Sequence, residues 1–73
     1  MARANSIEAL IEGGGEITIG ALAPRECVAA AAHGSNCLAM LVRREGERLN
    51  ALLQRLDKAI DLAWSNGTFV DEV

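Results

Sequence analysis

Cys27, His33 and Cys37 are the residues whose side chains are suited to metal or thiol chemistry. Thiolate sulfur and imidazole nitrogen are good zinc ligands, but a structural zinc site needs four ligands in a tetrahedron. His33 and Cys37 flank the turn Gly34-Ser35-Asn36, across which they are expected to meet. Cys27 is expected at the far end of the same ribbon, near Val42 or Arg43. That exceeds the roughly 7 Å limit on Cα separation for a disulfide. Both thiols are therefore expected to be reduced and no metal is expected. Ser35 lies close to the single histidine, yet no carboxylate is placed to orient that base, so a nucleophilic site lacks its third member.

Two further clusters invite chemistry. Gly13-Gly14-Gly15 with Gly20 has the composition of a phosphate cradle, but it follows a predicted helix and precedes a predicted strand. A phosphate loop has the opposite order and, in the P-loop, a Lys followed by Ser or Thr. The cluster reads as a hinge. Arg43, Arg44 and Arg48 gather where a strand is expected to enter a long helix, whose first amides favour an anion. They form a candidate site for a partner's carboxylates or another anion, with Glu45 and Glu47 between them as the opposing consideration.

The composition limits the partners. Seven basic against ten acidic residues give a formal charge of −3, opposite to the field that unspecific nucleic-acid binding needs. Trp64 and Phe69 are the only aromatics, too few for base stacking. The longest apolar run, residues 27–32, is six residues, far below the roughly 18 to 20 of a membrane span. With no apolar leader at the start and two thiols read as reduced, a cytoplasmic location is expected. No cofactor is expected.

These residues must be positioned by a single domain over residues 1–73. A chain this short buries only about 60% of its unfolded surface, so it needs an economical core or a partner. Residues 6–12 predict a short helix, with Asn5 as its cap, Glu8 completing a capping box, and Ile7, Leu10 and Ile11 on one stripe. Residues 16–21 alternate with period two, placing Ile17, Ile19 and Ala21 on one face of a strand. Pro24 marks a connection. Residues 27–33 and 37–43 predict two more strands, although Ala29-Ala30-Ala31-Ala32 would equally suit a helix.

The clearest periodicity runs over residues 47–66. Leu49, Leu52, Leu53, Leu56, Ile60, Ala63 and Trp64 recur at helical spacing, with Arg48, Asn50, Gln54, Arg55, Lys58 and Asp61 largely elsewhere. Leu53 and Leu56 are expected in the core. Asn66-Gly67 supplies a left-handed stop. An acidic tail follows, from which Phe69 and Val70 would tuck inward. The fold class expected is α+β, αβββα: short helix, three-stranded antiparallel sheet, long amphipathic helix.

The segment Gly46-Glu47-Arg48-Leu49 through Leu56-Asp57-Lys58-Ala59-Ile60 resembles the strand-to-helix piece of HicB-type antitoxins. In that family the helix opens Gly-Asp-Thr and closes near Ala-Ile. The stretch covers about a fifth of the chain. The family's aromatic strand and Pro-Asp-Leu-Pro-Gly-Cys stretch are replaced here by the alanine tract, His33 and Cys37. The whole chain also looks like small bacterial proteins of the kind carried on mobile elements. The antitoxin resemblance implies an inhibitor of a toxin or nuclease.

Without a catalytic, metal or nucleotide signature, the leading expectation is a noncatalytic interaction module that self-associates. An antitoxin-like inhibitor and a small enzyme with an intersubunit site stand as alternatives. Self-association follows from the hairpin, which is apolar on both faces while one long helix covers only one. Val28, Ala30, Ala32, Leu38 and Met40 are the candidate residues for contact with a second copy in a homodimer or higher oligomer.

Overall fold

The computed structural model describes residues 5–72. Its elements run α1 (Asn5–Glu12), β1 (Glu16–Leu22), β2 (Arg25–His33), β3 (Asn36–Val42), α2 (Leu49–Asn66) and β4 (Val70–Asp71). The protein is α+β, as expected, but the sheet has four strands in the order β1-β2-β3-β4. The first three are antiparallel, and β4 pairs parallel to β3 through Ala39 with Val70 and Met40 with Asp71. Two residues of tail were too short to read as a strand. They become one because Glu72 is anchored by its backbone and its side chain together.

The alanine tract is a strand. Its intrinsic helix preference loses to pairing on both sides, with Ile17, Ala31 and Ala39 in one cross-sheet row and Ile19, Ala29 and Leu41 in the next. The hairpin register agrees with expectation. His33 faces Asn36, Cys37 faces Ala32, and the Arg43 amide donates to the Cys27 carbonyl at 3.0 Å. Both cysteines are free thiols.

Ala29, Ala31, Ala39 and Leu41 form the buried face of the sheet, with Leu52, Leu56, Ala59 and Ile60 of α2 packed over them. Small side chains on the sheet let the leucine ridge of the helix approach closely, which is how a shallow aliphatic core reaches full burial. Leu56 is buried as expected, but Leu53 is only half-buried, and the core position belongs to Leu52. Trp64 stays 49% exposed and Phe69 48%, so neither aromatic joins the core, whereas Val70 does pack against it.

α1 docks beside α2 on the same side of the sheet, placing Leu10 in the core. Asp57 of α2 accepts a hydrogen bond from the Ile7 amide at 2.8 Å, capping the first turn of α1 from a distance. The Asn5 side chain, expected to supply that cap, lies outside the described residues. After α1, Gly13, Gly14 and Gly15 donate their amides to Ala9, Ile11 and Leu10, so the predicted hinge is a bonded helix stop. Gly67, at φ 68°, ends α2 in the left-handed conformation expected of it.

Candidate functional site

The loop between β3 and α2 carries the three predicted arginines. It folds on itself through Glu47, whose amide donates to the Arg44 carbonyl at 3.0 Å, while the Arg44 amide donates to Glu47 Oε1 at 2.9 Å. Arg43 Nε donates to the Glu47 carbonyl at 2.7 Å. The helical periodicity runs from residue 47, but α2 begins at Leu49 with Arg48 as an N-cap that makes no side-chain capping bond. The Glu47 carboxylate turns inward instead.

It turns towards Arg55, a residue read from periodicity as part of the polar helix face. Arg55 donates to both Glu47 oxygens, at 2.7 and 2.9 Å, to both Glu72 oxygens, at 3.0 and 3.2 Å, and to the Val42 carbonyl at 3.0 Å. Glu72 also accepts from the Val42 amide at 2.9 Å and donates its own amide to Met40 at 2.8 Å. The two-pronged bond from Arg55 holds the Glu47 carboxyl at about 2, well below the usual 4.5, with the Arg44 amide contributing next. The same bond raises Arg55 further above its ordinary range. Arg55 thus spends its fork on joining the loop, the tail and the end of β3 to α2, and its role is structural.

Above this latch lies an open cleft of about 830 Å³ that brings Arg43, Arg44 and Arg48 together and adds Arg25. Arg25 was missed, yet the signal was present: a register that sets Cys27 opposite Arg43 carries Arg25 alongside the same loop. Arg44 reaches Glu72 at 3.9 Å, whereas the side chains of Arg25 and Arg48 make no hydrogen bond or ion pair among the described residues. Glu26, Glu45 and Glu47 share the lining. The corner presents a mixed-charge surface on which guanidinium groups outnumber carboxylates.

The second candidate surface is the far face of the sheet. Among the described residues both helices lie on one side, so Thr18, Gly20, Ala30, Ala32, Met40 and Val42 line a side with no helix over it. Of the predicted contact residues, Ala30, Ala32 and Met40 are half-buried there, and Val28 is sunk beneath its neighbours. Leu38 sits at the bulge between β2 and β3 and packs against the core cluster. A shallow hollow of about 280 Å³ opens where Gly20 and Ala30 have little side chain, rimmed by Thr18 and Met40.

His33 and Cys37 do not form a site together. His33 donates from Nε2 to the Gly13 carbonyl at 3.0 Å, tying the hairpin turn to the helix stop, and Cys37 donates weakly to the Ala39 carbonyl at 3.8 Å. Among the described residues no group of three His, Cys, Asp or Glu side chains could hold a metal ion, and no helix is long and apolar enough to cross a membrane. In comparison with known proteins, the chain matches no family model, no curated protein and no solved structure.

Proposed function

We propose that this protein is a noncatalytic interaction module that self-associates through the uncovered face of its sheet, in the cytoplasm. One observation carries the reading: two amphipathic helices are available, and both pack on the same side. The opposite side is apolar at its centre, around Val28, Ala30 and Met40, with Glu16 at its margin opposite Ala32. A twofold copy laid on it meets no buried like charge, and burying such a patch is a standard reason for homodimers. The free thiols accord with a reducing compartment. Light scattering coupled to size exclusion tests the reading. A mass at a multiple of the 7.7 kDa chain is expected. A monomer persisting at high micromolar concentration contradicts it.

The arginine cleft supports a second contact, with carboxylates of a protein partner, because the side chains of Arg25 and Arg48 are unpaired among the described residues. Guanidinium forks match carboxylates in pairs. Binding of an Asp- and Glu-rich peptide is expected to weaken in Arg25→Gln with Arg48→Gln. Lys58→Gln, outside the cleft, is expected to leave it unchanged. Equal effects from both would reduce the cleft to diffuse charge.

A further inference from the structure

β1 is the exposed edge of the sheet, and its sequence leaves that edge unprotected. Among the described residues it is hydrogen-bonded to β2 on one side only, and alternate amides and carbonyls face outward. Natural edges are blunted by Lys, Pro or inward charges. From Glu16 to Gly20 there is no Lys or Pro and the one charge is Glu16 at the end of the segment, while the bulge that would twist the edge away lies beyond, between Gly20 and Leu22. Of these five residues only Ile17 is partly covered, and Ile19 is 39% exposed although it shares the helix side with Ile17.

We infer that β1 pairs antiparallel with β1 of a second copy across a twofold axis at Thr18. The register is self-complementary. Ile17 faces the partner's Ile19 and Ile19 the partner's Ile17, making a four-isoleucine cluster on the helix side. Thr18 faces its own copy on the open side, a favourable cross-strand pair. Each Glu16 faces a glycine, so the only charges in the segment sit at opposite ends. A register one residue along places Ile19 opposite itself and brings in the bulge, which breaks the ladder.

The inference rests on the self-association reading and supplies area that the face alone lacks. At ~4.8 Å between strands and ~3.4 Å per residue, three strands outline on the order of 400 Å², about half of the ~800 Å² per partner of a stable interface. Pairing the edges sets two open faces side by side in one continuous sheet.

Amide hydrogen exchange of the full chain, read by NMR across concentration, separates the edge from the face. The β1 amides turned away from β2 are expected to become protected as the oligomer forms, by on the order of tenfold or more. Ile19→Lys, on the helix side of an exposed position, is expected to abolish that protection and leave β2 and β3 exchange unchanged. Outward β1 amides that exchange freely while light scattering reports an oligomer would overturn the edge pairing and leave the sheet-face reading standing. Protection that persists in Ile19→Lys would also overturn it. A monomer at all concentrations would sink both.

Discussion

A side chain at position 15 would have no space: a Cβ there would run into the Leu10 side chain and lie 2.9 Å from the Ala32 carbonyl. At position 20 a Cβ meets nothing within 4 Å. Gly15→Ala is therefore expected to cost about 1 to 3 kcal/mol through overpacking, and Gly20→Ala to be close to neutral. Thermal melts that rank them the other way would contradict the docking of α1. Glu47 carries a pH signature. Its carboxyl falls from 4.5 to about 2 on folding, so its stabilising contribution is complete above pH 4.5 and is lost as pH falls towards 2. Urea melts of the wild type and Glu47→Gln are expected to differ most near neutrality and to converge through that interval. A constant difference across it would mean that the Arg55 fork does not anchor the loop.

The long helix was legible because apolar residues recur every three or four positions over five turns, but the pattern could not say which leucine points deepest. Leu52 and Leu56 are fully buried, Leu53 is half-buried, and Leu49 is 48% exposed. Leu52→Ala and Leu56→Ala are each expected to cost about 2 to 5 kcal/mol, and Leu53→Ala clearly less; equal losses from all three would misplace the helix face. The alanine tract was ambiguous for a different reason. Alanine accepts either conformation, and the decision comes from partners such as Ile17 and Leu41 that are distant in sequence. The fourth strand was hidden in the same way, since what orders Val70 and Asp71 is Glu72 meeting Arg55, and no local pattern reports that pair.

At the scale of the molecule, the apolar hairpin faces were readable from alternation, and so was the need for something to cover the second face. What could not be read was that α1 would join α2 rather than cross to the other side. That choice depends on Leu10 fitting over Gly15 and on Asp57 capping the Ile7 amide, both tertiary contacts. The arginine corner was half legible: the loop's own arginines stand together in sequence, while Arg25 arrives through strand register. Self-association through the uncovered face is tested most directly by the particle mass of Ala30→Lys measured beside the wild type. Ala30 sits between Thr18 and Met40 on the uncovered face, so a lysine there reaches water in an isolated chain and is buried in an associated one. Association through the open face predicts a variant that melts like the wild type and forms a smaller particle at the same concentration. An unchanged oligomer mass with an intact fold would show that the open sheet face is not where copies of this protein meet.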